Sequence, residues 1–230
     1  MTTDTRPKTS SYKSPEGWSI GGMAKGAGML APGLATMLVV ITTDAELAGL
    51  DAQQALRDAT DVTFNRLDSD GCMSTNDQVT LMVSGASGVA PSQDSFTEAL
   101  HAVCLDLALQ LQDDAEGATH SIAIKVVGAE STGDALEVAR SIARNNLFKA
   151  AVFGNDPNWG RILAAVGTTD AALDPDNVDV TINGVRVCTK GGPDRPVEEV
   201  DMTPKQVDVT VNLFAGPQEA TVWTNDLTQG

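Results

Sequence analysis

Lys25-Gly26-Ala27-Gly28-Met29-Leu30-Ala31-Pro32-Gly33-Leu34-Ala35-Thr36-Met37-Leu38 is a glycine-rich loop with one lysine that turns through a proline into an apolar run. The run continues as Thr36-Met37-Leu38-Val39-Val40-Ile41-Thr42-Thr43, β-branched and apolar on both faces. A strand of that kind is buried between layers, which predicts a layered α/β fold. Thr36 opens the strand. Were the chain cut between Ala35 and Thr36, this residue would carry a hydroxyl and a free α-amine together. That pairing is a nucleophile with its own base.

Outward from this segment the pattern alternates. Residues 2–17 read as an extended, turn-rich entry with Pro7 and Pro15, and Trp18 to Ala24 as a short strand entering the loop. Asp44 introduces a helical region from Ala52 to Leu67, and Gln78 to Ser84 is a second buried strand. Asp94 or Ser95 caps a helix continuing to about Gln112. The polar knot Asp113-Asp114-Ala115-Glu116-Gly117 is the best boundary, dividing the chain into 1–117 and 118–230. Beyond it come a strand over Ser121–Val127 and helices over Ala135–Phe148 and Trp159–Val166. Val178–Asn183 and Val185–Cys188 form a hairpin through Asn183-Gly184, a type I′ turn signal. Strands over Gln206–Leu213 and Glu219–Thr224 complete a layered α/β or α+β architecture.

The 230 residues suffice for one large or two small domains. Aromatics make up only 4%, so Ala, Val, Leu and Ile must build the core. The net charge of −16 makes nucleic acid and anionic membranes poor partners. Cys72, Cys104 and Cys188 are odd in number and lack any CxxC, which argues against a disulfide framework or a thiolate zinc site. With no apolar signal core at the start and no run of membrane-spanning length, a reducing, cytoplasmic location is expected.

Two motifs fail on inspection. Gly26-Ala27-Gly28-Met29-Leu30-Ala31 fits GxGxxG/A, but Pro32 and Gly33 follow where a helix should begin, and no βαβ unit encloses it. Asp68-Ser69-Asp70-Gly71 begins like a calcium loop, yet its glycine comes early and Val79 stands at the twelfth place. Residues 68–77 therefore read as a polar turn. Gly154-Asn155-Asp156-Pro157-Asn158-Trp159-Gly160-Arg161 reads as a dense turn opening a helix, capped by Asp156 or Asn158.

For Thr36 the ordinary alternative is a strand residue. The Gly/Pro approach and the small Ala35 raise the nucleophile reading beside it, because an N→O acyl shift needs a kinked, accessible peptide. After cleavage the α-amine, with a pKa of about 8, accepts the hydroxyl proton near neutral pH. Lys25 then suits an electrostatic role or the anchoring of a carboxylate, the ordinary alternative being a solvated loop lysine.

At these residues the chain resembles the ornithine acetyltransferase (glutamate N-acetyltransferase) family of arginine biosynthesis. The blocks carrying the resemblance are Thr2-Thr3-Asp4-Thr5, Gly21 to Met29, Ala35-Thr36-Met37-Leu38, Ser74-Thr75-Asn76-Asp77, Glu116-Gly117-Ala118-Thr119, Gly154 to Arg161 and Val222 to Leu227. The resemblance implies an αββα-type sandwich over 1–117 and a smaller α/β domain over 118–230. It implies autocleavage at Ala35–Thr36, then transfer of acetyl from N2-acetylornithine to glutamate through acetyl-Thr36. Carried over by position, Thr2, Lys25, Thr36 and Glu116 become substrate contacts, with Glu116 facing the cationic amino group of ornithine. No metal or organic cofactor is implied, and acetyl-CoA stands as an alternative donor. The implied partners are the protein's own N-terminal α chain and a second copy, as a heterotetramer of two α and two β chains.

Family members are longer than this chain, which resembles only their C-terminal part. The Thr-Gly oxyanion hole that precedes this region and the Asn/Ser-bearing tail that follows it are not in these 230 residues, so the fragment alone is expected to be inactive. Two other readings compete: a self-processing amidase or aminopeptidase using the same Thr36, and a non-catalytic assembly fragment.

Overall fold

The computed structural model describes residues 3–30, 37–72 and 74–228. The chain forms two compact units, one made of residues 1–67 and 72–116, the other of 68–71 and 117–230. The strap Asp68–Gly71, read from sequence as a turn inside the first domain, thus belongs to the second unit.

The first unit holds a four-stranded sheet in the order β1 (Lys8–Lys13), β2 (Ser19–Lys25), β3 (Leu38–Thr43), β4 (Gln78–Val83). β1–β2 and β2–β3 are antiparallel, while β3–β4 is parallel. β1 was not expected, since the entry segment read only as extended chain. It forms because residues 14–17 turn it back onto β2, and because Gln110 caps its edge by bonding Thr9 N and O at 3.1 and 3.0 Å.

Helices α1 (Ala52–Asp61) and α2 (Gln93–Asp113) form the unit's helical layer, α2 lying against β1 and β2. The helical reading of 52–67 overran. α1 stops at Asp61, and a separate 3-10 helix spans Phe64–Arg66. The cap of α2 is Ser92, which accepts from Ser95 N at 3.1 Å, not Asp94 or Ser95. Phe96, Leu100, Val103, Leu107 and Leu111 of α2 are buried, as are Ile20, Val39 and Ile41 of the sheet. Each such side chain contributes roughly 2 kcal/mol of burial. A Cβ on Gly22 would fall 2.9 Å from Leu107 Cδ1, so glycine lets α2 come this close to the sheet.

β3 corrects the expectation of burial on both faces. Val39, Ile41 and Thr43 are buried, while Leu38, Val40 and Thr42 are exposed. Register places Met23 beside Val40, and Met82 beside Thr42, on this same outer face. Met23 is 61% exposed and Met82 55%, so the sheet presents an apolar face to solvent. Among the described residues this unit supplies one helical layer and one sheet of an αββα order.

The second unit has a six-stranded sheet ordered β10 (Gln218–Asn225), β5 (Ser121–Ala129), β9 (Gln206–Asn212), β6 (Asp179–Ile182), β7 (Val185–Thr189), β8 (Gly192–Pro193). Only β5–β9 is parallel. Helices α3 (Thr132–Ala143), α4 (Asn146–Phe153) and α5 (Trp159–Val166) complete its core. The single helix expected over 135–148 is two, because Asn145 caps a new one by accepting from Phe148 N at 3.0 Å. The expected hairpin turn has φ of 46° at Asn183 and 80° at Gly184, the positive pair that a type I′ turn requires.

Gly128 in β5 sits at φ 68°, and a Cβ there would meet Asn212 Oδ1 at 2.3 Å and Phe214 N at 2.9 Å. Gly128→Ala is expected to destabilise the protein by at least about 1–2 kcal/mol from the left-handed backbone alone. Urea denaturation checks this, and a change within about 0.5 kcal/mol would contradict it.

Candidate active site

Thr2, Ala35 and Thr36 lie outside the described residues. The chain around them is well defined. Lys25 closes β2 directly opposite Leu38, and Leu38 pairs with Gln78 at the start of β4. Three strand ends therefore meet at one edge of the first unit's sheet. Met37, the residue after Thr36, donates its backbone N–H to Asp77 Oδ1 at 2.8 Å. Its carbonyl accepts from Gln78 N at 3.0 Å. The peptide nitrogen bonded to the Thr36 carbonyl carbon is thus held by a carboxylate. Burial lifts the Asp77 carboxyl above the ordinary range, against the downward pull of the Met37 N–H and the Lys25 charge.

The loop after Lys25 has unusual backbone, with φ of 150° at Gly26 and 55° at Met29. Non-glycine residues at positive φ are rare and are held there by their surroundings. One such restraint is the bond from Glu116 N to Ala27 O at 2.8 Å. The Glu116 carboxylate itself packs on the loop: a Cβ on Gly28 would lie 3.4 Å from its Oε2. Glu116 is therefore half-buried against the glycine loop rather than a solvated boundary acid. Gly28 and Glu116 thus lie together in the first unit, three residues along the loop from Lys25.

Sequence reasoning assigned no role to the charges behind this loop. Lys8 is 1% exposed, and its Nζ lies 2.5 Å from Asp114 Oδ2 and also bonds Asp4 Oδ1. Asp4 Oδ1 accepts from Gly26 N at 2.8 Å, while Asp114 accepts from Thr5 N at 3.0 Å and from the Thr5 hydroxyl. Burial raises both carboxyls, but the Lys8 ammonium, with Gly26 N–H at Asp4 and Thr5 at Asp114, outweighs it and holds both below the ordinary range.

A carboxyl whose folded pKa is depressed stabilises the fold above its unfolded pKa and loses that contribution as pH falls through the folded value. The first unit should therefore keep its amide protection over residues 24–30 down to about pH 4 and lose it below. Hydrogen exchange across an acid series checks this; loss of protection already at about pH 6 would contradict it.

The other blocks of the resemblance serve the second unit's architecture. Asn158 caps α5 by accepting from Arg161 N at 3.2 Å, and Arg161 Nη1 donates to Leu147 O at 2.5 Å. Asp226 accepts from Thr119 N at 2.9 Å and pairs with His120 Nδ1 at 2.8 Å. The strap read as a polar turn is instead buried at Asp68 and Ser69, with Asp68 Oδ2 2.7 Å from Arg144 Nε. Lys149 Nζ joins the strap to the end of β10, donating to Ser69 O and Asn225 O, both at 2.5 Å. Burial lowers its pKa to about 8, against the upward pull of Asp68, Asp70 and Asp226.

Among the described residues no group of three His, Cys, Asp or Glu is arranged to hold a metal ion. No helix of the described residues is long and apolar enough to cross a membrane. Burial pushes the Cys104 thiol up to about 12, as befits an inert core residue.

Comparison with known proteins bears on the whole chain. The protein named arginine biosynthesis bifunctional protein ArgJ in Streptomyces avermitilis is 60% identical over 227 residues, covering 99% of this chain and 59% of that protein. The protein of the same name in Mycobacterium leprae is 53% identical, covering 99% and 56% respectively. This chain therefore spans less than two thirds of the curated relatives it matches. The crystal structure of arginine biosynthesis bifunctional protein ArgJ from Bacillus halodurans superposes with a TM-score of 0.75 at 34% identity, covering 84% of this chain and 94% of that one. The profile of the ArgJ family matches residues 1–230 without interruption, and the chain belongs to that family.

Proposed function

We propose that this chain carries the catalytic threonine and part of the substrate pocket of an acetyltransferase of arginine biosynthesis. The observation that carries the reading is that Lys25 pairs with Leu38 and leads into a glycine loop packed by Glu116, while Asp77 holds the N–H of Met37, the residue that follows Thr36 in sequence, in a member of the ArgJ family.

In this scheme the Thr36 hydroxyl attacks the Ala35 carbonyl, and the Ala35–Thr36 C–N bond breaks and frees the Thr36 α-amine. Water then cleaves the resulting ester to release the Ala35 carboxylate and restore the Thr36 hydroxyl. That amine takes the hydroxyl proton as Thr36 Oγ attacks the acetyl carbonyl of N2-acetylornithine. The proton passes to the departing ornithine amine, leaving acetyl-Thr36. The α-amine of glutamate then attacks the ester, the Thr36 Oγ–acyl bond breaks, and the amine's proton returns to the Thr36 oxygen through its α-amine. Lys25 anchors a substrate carboxylate, Glu116 faces the cationic amine of ornithine, and Thr2 adds a further contact. The oxyanion donors would come from the part of the family that precedes this chain; losing one such donor costs about 3–4 kcal/mol in the barrier.

The apolar outer face formed by Met23, Leu38, Val40 and Met82 supports an N-terminal α chain as partner, supplying the second sheet of the αββα sandwich. The solved Bacillus halodurans chain is nearly filled by the match, whereas the curated relatives extend far beyond it, as expected of a family that matures into two chains. A pair of such α–β complexes in the cytoplasm is the proposed assembly. The name of the relatives, bifunctional, agrees with acetyl-CoA as a second donor.

Product analysis tests the transfer. Full-length protein given N2-acetylornithine and glutamate should yield ornithine and acetylglutamate. Acetate in place of acetylglutamate would favour the amidase reading and overturn this one.

A further inference from the structure

We infer that Lys8 is a positioning residue of this site. Its buried ammonium fixes, relative to one another, the three segments that lead to Thr2, Lys25 and Glu116. The inference rests on the acetyl-transfer reading for its functional meaning and on the geometry for its physical content.

The connections form a closed set within the first unit. Lys8 stands opposite Ala24 in the β1–β2 pairing, so its side chain lies on the inner face while Lys25, one residue along, lies on the outer. From there the ammonium reaches the Asp4 and Asp114 carboxylates, the latter at 2.5 Å. Asp4, two residues after Thr2, uses the same oxygen to accept Gly26 N–H at 2.8 Å, which fixes the peptide that follows Lys25. Asp114, two residues before Glu116, holds the backbone of Thr5 at 3.0 Å. The ring closes where Glu116 N donates to Ala27 O at 2.8 Å.

A buried triad of this kind is a poor device for stability. Desolvating three charges offsets most of their attraction, and apolar replacements of like volume are often as stable or more so. What the triad supplies is directional: each carboxylate oxygen has one set of partners, and a shift in any of the three segments breaks a charged hydrogen bond. Lys25 and Glu116 belong to different elements far apart in sequence. A binding pocket that reads a carboxylate and an ammonium on one substrate needs their separation held to a fraction of an ångström. Lys8 bonds both Asp4, which holds the peptide after Lys25, and Asp114, which lies two residues before Glu116.

The test uses the full-length protein carrying Lys8→Met, Asp4→Asn and Asp114→Asn together, which removes the charges without stranding any of them. Its thermal midpoint should stay close to wild type and Ala35–Thr36 should still be cut. The amide of Gly26 should exchange faster, and kcat/KM for N2-acetylornithine should fall by about 100-fold, chiefly through KM. A folded triple variant with wild-type KM and wild-type Gly26 exchange would overturn the inference.

Asp4→Ala is the second variant, because it leaves the Lys8–Asp114 pair in place while removing the acceptor of Gly26 N–H. It should raise KM by about tenfold, and an unchanged KM would overturn the inference even if the triple variant does not fold. Failure of the acetyl-transfer reading would instead appear in the wild type, as absence of cleavage and transfer, and would remove the role given to Lys8.

Discussion

Thr36→Ala in the full-length protein should leave the Ala35–Thr36 bond intact and abolish the acetyl adduct, with turnover down by about four to six orders of magnitude. One substitution removes two chemical steps, because the same hydroxyl performs the acyl shift and later carries acetyl. The α-amine is lost as well, since without cleavage it stays in a peptide bond. The fold should not change: β3, which follows Thr36 in the chain, is held by β2 and β4, and Asp77 grips Met37. Mass spectrometry of the purified variant separates the outcomes. A variant that is still cut, or still acetylated, would show that another residue is the nucleophile.

Lys149→Met should be the most damaging substitution for the second unit, with a loss of about 3–5 kcal/mol, the range seen when one partner of a buried ionic cluster is removed. Lys149 is 6% exposed and donates to Ser69 O, Asn225 O, Thr224 Oγ1 and Asp226 O. Methionine fills the volume but removes the charged donor that Lys149 gives those buried carbonyls, a loss of about 1–3 kcal/mol at each one that water cannot reach. It also strips a positive charge from beside Asp68, a carboxyl that burial already pushes upward and Arg144 and Lys149 pull down. A melting midpoint lower by roughly 10 °C is expected for a protein of this size. Equilibrium urea denaturation gives the free energy directly, and a loss under about 1 kcal/mol would mean that the cage is not a stabilising element.

Sequence alone made visible those features that rest on local chemistry. The Asn183-Gly184 turn demands positive φ at both places, and only a hairpin uses it there. Within the run from Thr36 to Thr43, the strand over Leu38–Thr43 was legible because apolar β-branched residues crowd both of its faces. The assumption that both faces are buried within these residues did not hold for β3, whose outer face Leu38 and Val40 leave exposed.

Long-range charge pairing was the main thing hidden. Asp114 sits in a run of acids that composition reads as a solvated knot, yet it is buried because Lys8, 106 residues away, reaches it. Asp68 and Ser69 looked like turn residues for the same reason: their partners, Arg144 just past the end of α3 and Lys149 on α4, stand far along the chain. Periodicity and spacing carry no information about such pairs. For Asp4 and Asp77 a signal did exist, since both fall inside the blocks quoted for the family resemblance. Their work, gripping the peptides beside Lys25 and Thr36, became visible only with the backbone in place.

The most direct test of the central claim is the intact mass of the full-length protein, measured before and after N2-acetylornithine is added without glutamate. The account predicts two polypeptides, the second beginning at Thr36 and becoming heavier by one acetyl group, which glutamate then removes. A single uncut chain whose mass does not change with the donor would contradict it.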